Sequence, residues 1–365
     1  MAGFSIGSKE LKKVISQIEP VLKGGIDNLP RILFVVDEKV SAKATNGDSY
    51  VDVVFDCDVI SKGSFVVPGN LLANVVKQSS GEKVELSLDE ENKSLYINTG
   101  NIKYQLSILE VSEEIFNAPL FDEANTFTML AQDLKSAIVA VSGCIDSAKP
   151  HLNCAMIHTN PDVPNKINIV ATDAMRLGIA EREAKYSNDV PNLIVTKKAC
   201  EYILTMIGDI SGEITISYTN NMIKIVLGGI TYTSKLLDVA FPKYQAVIPF
   251  ANDKILETKV SDLKDTIKKV VAAAEMSYTI RMNIDAKSIS VVCKDNGNNA
   301  TGTIDATYSQ TEPIEIACNY KFLIEILDVI TSSVVRIQIM DGQTPLLIRA
   351  VDDDTVKYVF MPFVA

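Results

Sequence analysis

The chain has 365 residues, 47% hydrophobic and 22% charged, with a net charge of −11, six cysteines, two histidines and no tryptophan. That length suits two to three domains of roughly 100–200 residues each, and no run of about 18 apolar residues exists that would span a membrane. Taken alone, the acidic average argues against nucleic acid as a partner, and cysteines without a Cys-x-x-Cys pair fit buried thiols better than a disulfide framework or a zinc site.

In chain order, a strand at Phe4–Ile6 leads to Ser8, a candidate N-cap, and then to Glu10 in a first helical turn, where a negative charge suits the helix dipole. Leu11, Val14, Ile15 and Ile18 follow at i, i+3, i+4 and i+7, one apolar stripe of a helix. Strands are expected at Ile32–Val36 and Val51–Phe55, and a second helix begins near Pro68 with Leu71, Leu72, Val75 and Val76 as its apolar positions. Period-two alternation at Val84, Leu86 and Leu88 marks a strand. A hairpin of Leu95–Ile97 with Tyr104–Ile108, turning at Gly100-Asn101, closes the set.

The whole pattern then returns. Glu10-Leu11-Lys12-Lys13-Val14-Ile15 reappears as Asp133-Leu134-Lys135-Ser136-Ala137-Ile138 and as Asp262-Leu263-Lys264-Asp265-Thr266-Ile267, with leucines 123 and 129 residues apart and Ser261 again a candidate cap. Second helices recur around Ala199–Leu204 and Phe322–Leu327, alternating strands at 214–218 and 335–339, and hairpins at 223–236 and 346–360. A long fixed period means repeated domains. The expected fold is α+β, three copies of a helix-plus-antiparallel-sheet domain, with boundaries at residues 1–122, 123–250 and 251–365.

Charge is segregated along this repeat. Lys12, Lys13, Lys135, Lys264, Lys268 and Lys269 fall in the first helices and Lys77, Lys197, Lys198 and Lys321 in the second, whereas Asp89-Glu90-Glu91, Glu113-Glu114 and Asp352-Asp353-Asp354 fall in turns. Lys12, Lys135 and Lys264 each follow the repeat leucine by one residue, about 100° round the helix, so they share one direction. Taken singly, each lysine fits a solvated helix face equally well. As a set they fit a cationic wall that meets phosphates.

Three segments resemble the bacterial DNA polymerase III β subunit family. Ala171-Thr172-Asp173-Ala174-Met175-Arg176-Leu177 is close to the family's Ala-Thr-Asp-Gly-His-Arg-Leu, and Phe241-Pro242-Lys243-Tyr244-Gln245-Ala246-Val247-Ile248-Pro249 matches its Phe-Pro-x-Tyr-x-x-Val-(Leu/Ile)-Pro. Tyr358-Val359-Phe360-Met361-Pro362 matches its Tyr-Val-Val-Met-Pro. The resemblance implies a DNA clamp fold in which two chains close head to tail into a ring around duplex DNA, with the helices lining the hole. It implies a homodimer contact through the strand carrying Tyr104 and Leu106, whose other reading is ordinary sheet core. His151 stands near a DNA-contacting loop residue of the family. Lys23, before Gly24-Gly25, stands where members often carry an arginine.

The resemblance also implies a pocket for a Gln-Leu-x-Leu-Phe-like peptide. Residue by residue it comprises Leu152, Thr172, Ala174, Met175, Arg176, Leu177, Pro242, Val247, Pro345, Val359, Met361 and Pro362. The partners it implies are the polymerase α subunit, a clamp-loader ATPase that opens the ring, and other polymerases and repair proteins. The chain departs from the family at Ala174 for glycine, Met175 for histidine and Phe363-Val364-Ala365 for the usual Met-Arg-Leu end.

No P-loop, His-Glu-x-x-His, Gly-x-Ser-x-Gly or dinucleotide motif occurs, so neither catalysis, a metal nor a cofactor is expected. Asp173 beside Arg176 could be read as an acid with an anion clamp, but a structural ion pair is the commoner arrangement. A cytosolic three-repeat scaffold that never touches DNA would explain the domains and the apolar C-terminus as well. With no basic segment before an apolar run at the start, the protein is expected in the cytoplasm.

Overall fold

The computed structural model describes residues 2–23, 30–121, 125–160 and 163–363. Among these, six α-helices alternate with antiparallel strands: α1 (Ser8–Leu22), α2 (Gly69–Gln78), α3 (Ala131–Ser142), α4 (Lys197–Ile207), α5 (Val260–Val271) and α6 (Tyr320–Val329). The stripe residues of the odd-numbered helices are buried, Leu11, Val14, Ile15 and Ile18 in α1, Leu134, Ala137, Ile138 and Val141 in α3, and Leu263, Ile267 and Val270 in α5.

Ser8 and Ser261 are not the caps the sequence suggests. Gly7 and Lys259 hold those positions, and neither makes a side-chain capping bond. A strand runs straight into each helix, and the first helical N–H groups are already satisfied: Ser8 donates to the Glu82 carbonyl and Val260 to that of Ser333, both at 2.9 Å. With those donors paired, a capping hydroxyl has less to do. The Ser8 hydroxyl instead meets Ser79 Oγ at 2.8 Å.

The chain forms two compact units, one of residues 1–132, 186–188 and 201–237, the other of 133–185, 189–200 and 238–365. In the first, one sheet orders its strands Asp58–Ser61, Gly3–Gly7, Lys83–Asp89, Ser94–Thr99 and Ile102–Ser107, leaving the last at an edge. A longer sheet there pairs Ile230–Lys235 with Ser49–Phe55, placing Tyr232 opposite Val51. In the second unit, Arg176–Glu183 pairs with Val356–Phe360, placing Leu177 opposite Val359. A four-stranded sheet of the same unit has Asn298–Asp305 at one edge. The central third of the sequence therefore contributes strands to both long sheets, a pairing that local periodicity cannot reveal.

Candidate binding cleft and helix lysines

The tight turn between the Lys166–Thr172 and Arg176–Glu183 strands begins one wall of a cleft. Asp173 Oδ1 accepts from the backbone of Met175 (2.9 Å) and Arg176 (2.8 Å), which closes the turn. The Thr172 hydroxyl donates to the Arg176 carbonyl at 2.8 Å and accepts from Ala174 N at 3.1 Å. This forces Ala174 to φ +75°, a conformation that favours glycine, which is the residue the family motif carries there.

A second wall comes from Pro242 and the one-turn 3-10 helix Tyr244–Val247. The third is the end of the chain. After the Val356–Phe360 strand, Met361 N donates to the Met175 carbonyl at 2.9 Å and Phe363 N to that of Ala317 at 2.7 Å, so the apolar terminus is tied down as far as it is described. Val364 and Ala365 lie outside the described residues.

These walls enclose about 270 Å³, lined by Leu152, Thr172, Ala174, Met175, Arg176, Leu177, Pro242, Lys243, Tyr244, Val247, Val359 and Met361. Met175, Val247 and Met361 are 37%, 52% and 36% exposed, which makes the mouth of the cleft apolar. Pro345 and Pro362 are not on the wall. The Pro345 carbonyl accepts from Asn252 at 2.9 Å, and Pro362 is buried. Lys243 and Tyr244 join the wall without being expected there, and their place inside the segment 241–249 that carries the resemblance is the signal that points to them.

Arg176 is consumed by the fold. Its side chain is 5% exposed, pairs with Asp173 at 3.0 Å and Glu325 at 2.6 Å, and lies 4.3 Å over the Phe322 ring. Its remaining donors reach the carbonyls of Phe322, at 3.2 Å, and Gly143. Asp173 and Arg176 are thus a structural pair that locks the turn to α3 and α6, not an acid with an anion clamp. No cluster that could hold a metal ion occurs among the described residues. Burial raises the thiol of Cys144 to about 12 and that of Cys154 to about 11, which keeps both protonated.

The lysines divide into two groups. Lys12 donates to the Ser79 carbonyl just past α2 at 2.8 Å, and Lys264 pairs with Asp328 near the end of α6 at 2.6 Å. Both therefore fasten a first helix to the C-terminal end of a second, where a cation is favoured. Lys135 is half-buried at the equivalent place on α3. Lys77 pairs with Glu19 at 2.5 Å, and Lys197 donates to Ser147 at 2.7 Å. Lys13, Lys23, Lys198, Lys268 and Lys269 are exposed with no acidic partner among the described residues, and His151 is exposed as well. Lysines on strands and loops are not rare, and several have their charge matched nearby: Lys39–Asp56 at 3.1 Å, Lys62–Asp37 at 2.5 Å, Lys83–Asp58 at 2.7 Å and Lys235–Asp48 at 2.7 Å.

Tyr104 and Leu106 are half-buried on the edge strand Ile102–Ser107, and Ile102 on the same strand is 43% exposed. Among the described residues, no helix is long and apolar enough to cross a membrane.

Comparison with known proteins agrees with this geometry. Residues 128–243 match the family model of the DNA polymerase III beta subunit central domain, and residues 245–364 match that of its C-terminal domain. A beta sliding clamp of Caulobacter vibrioides is 25% identical over 374 residues, covering 98% of this chain and 99% of the relative. That of Escherichia coli is 23% identical over 370 residues, with the same coverage. Among solved structures, a DNA polymerase III subunit beta sliding clamp from Bartonella birtlesii bound to griselimycin superposes with a TM-score of 0.90 at 26% identity, covering 100% of both chains. The beta subunit from Thermotoga maritima gives 0.90 at 21% identity, again over 100% of both.

Proposed function

Because the chain belongs to the DNA polymerase III beta subunit family, the beta sliding clamps, we propose that it is a non-catalytic processivity factor that encircles duplex DNA as a head-to-tail homodimer. Three repeat domains per chain, residues 1–122, 123–250 and 251–365, make six around the ring. The exposed Lys13, Lys23, Lys198 and Lys268 then meet phosphates, with His151 near them. Such contacts are non-specific and weaken with salt, which suits a ring retained by topology and free to slide. Lys12 and Lys197, held by neutral acceptors, and Lys135 add to the same cationic surface, whereas Lys77 and Lys264 brace its helices with their charge matched by Glu19 and Asp328.

The cleft is the observation that carries the tethering role. Four segments far apart in the chain close an apolar cavity of about 270 Å³ with few polar groups, the character that a short anchor peptide needs. Its occupant is a Gln-Leu-x-Leu-Phe-like segment of the polymerase α subunit, of the clamp loader, or of other polymerases and repair proteins, in the cytoplasm. The edge strand bearing Tyr104 and Leu106 pairs with the partner copy, which also hides a sheet edge.

Loading onto DNA tests both halves. The ring should stay on a nicked circle and run off once the circle is linearised, and Val247→Asp should end capture of the anchor peptide without preventing ring closure. A chain that never becomes trapped on the circle, yet still binds peptides, would be the scaffold instead.

A further inference from the structure

We propose that Lys243 is a specificity-determining residue of the cleft, whose ammonium favours anchor peptides that carry an acidic side chain within or directly beside the apolar motif. This rests on the cleft being a peptide site, and it names the class of peptide the site prefers.

The cleft wall carries two basic residues, Arg176 and Lys243, and no acidic one. Arg176 is committed, its guanidinium held between Asp173 at 3.0 Å and Glu325 at 2.6 Å. The Thr172 hydroxyl is committed too, since it donates to the Arg176 carbonyl and accepts from Ala174 N. Lys243 is different. It stands at the start of the Tyr244–Val247 turn of 3-10 helix, where its carbonyl accepts from Ala246 N at 3.3 Å, and its exposed side chain makes no hydrogen bond or ion pair among the described residues. Lys149 also reaches the turn that forms the first wall, donating to the Asp173 carbonyl at 3.3 Å, but Asp146 lies 3.3 Å from it and matches its charge. Lys243 is thus the unmatched cation of an otherwise apolar hollow.

Apolar walls give a bound peptide affinity but separate one apolar sequence from another weakly. Charge supplies discrimination that burial cannot. A lysine stem can lie along an apolar wall while its head stays in water, so a peptide carboxylate meets it without the heavy desolvation cost of a buried pair. Position 243 is also the first variable position of the Phe-Pro-x-Tyr-x-x-Val-(Leu/Ile)-Pro segment, so this charge is a feature of the chain that the shared motif does not dictate. The field of the whole molecule works in the opposite sense. With a net charge of −11 the chain repels an acidic peptide at long range, so a preference for one has to come from a local cation.

Fluorescein-labelled peptides with blocked termini test this. Each contains Gln-Leu-x-Leu-Phe, and the members of a pair differ only as Asp against Asn, at x or at the residue on either side of the motif. They are titrated by anisotropy with the full chain at low salt and neutral pH. The Asp member of at least one pair should bind about threefold tighter, the ordinary strength of a part-exposed ion pair. Lys243→Met should bring that ratio to about one, and Lys243→Glu should invert it so that the Asn member binds tighter. Equal affinities within every pair in wild type, or a preference that persists in Lys243→Met, overturn the proposal while leaving the peptide site in place. If wild type binds no member of any pair, the cleft reading itself has failed and the proposal falls with it.

Discussion

The Lys12 ammonium lies 2.8 Å from the Ser79 carbonyl oxygen, so the lysine most regular in the repeat fastens α1 to the end of α2. Lys12→Met should therefore lower stability by about 1 kcal/mol, the worth of a partly buried charged hydrogen bond, as read by urea denaturation. Replacing the exposed Lys13 and Lys268 by alanine should leave stability within about 0.5 kcal/mol. It should instead flatten the salt dependence of binding to a short duplex, by about 0.9 in logarithmic slope for each phosphate that is no longer neutralised.

Ala174 adopts φ +75° because the Thr172 and Asp173 side chains fix the turn around it. An alanine there costs about 1 kcal/mol relative to glycine. Ala174→Gly should raise the urea midpoint accordingly while changing peptide affinity little, since only a methyl leaves the cleft wall.

Removing Arg176 strands two carboxylates. Asp173 is largely buried and Glu325 half-exposed, and both face the same guanidinium. Arg176→Ala should cost about 3 kcal/mol. Arg176→Lys should recover little of that, because one ammonium cannot reproduce the planar fork that meets Asp173, Glu325 and two carbonyls at once. Thermal melts of the two variants, compared with wild type, check the order.

On the proposed ring, a charge on the edge strand should weaken closure. Tyr104 and Leu106 alternate on Ile102–Ser107, whose outer hydrogen-bonding row has no neighbour strand among the described residues. Leu106→Asp should shift sedimentation from dimer toward monomer at micromolar concentration while leaving the far-ultraviolet circular dichroism unchanged, because a lone carboxylate across a strand pair disfavours association.

The amino-acid sequence alone determined what is local. Stripes at i, i+3, i+4 and i+7 named the faces of α1, α3 and α5, and two-residue alternation named the strands at Val84–Leu88, Ile214–Tyr218 and Val335–Ile339, because both periods are properties of a single element. Ten of the twelve residues expected on the cleft line it, and nine of those ten lie inside the three matched motifs, Leu152 being the exception. Tertiary structure alone decided the rest. Ser8 and Ser261 cap nothing because carbonyls from distant segments reach the helix starts first. Lys12 and Lys264 brace helices, and Lys13 and Lys268 face solvent, though all four occupy similar sequence contexts. The Tyr244 hydroxyl finds His158 and Asn168 across more than 70 residues of chain. Such contacts depend on which surfaces meet when the chain is packed, and no periodicity within one segment encodes that meeting.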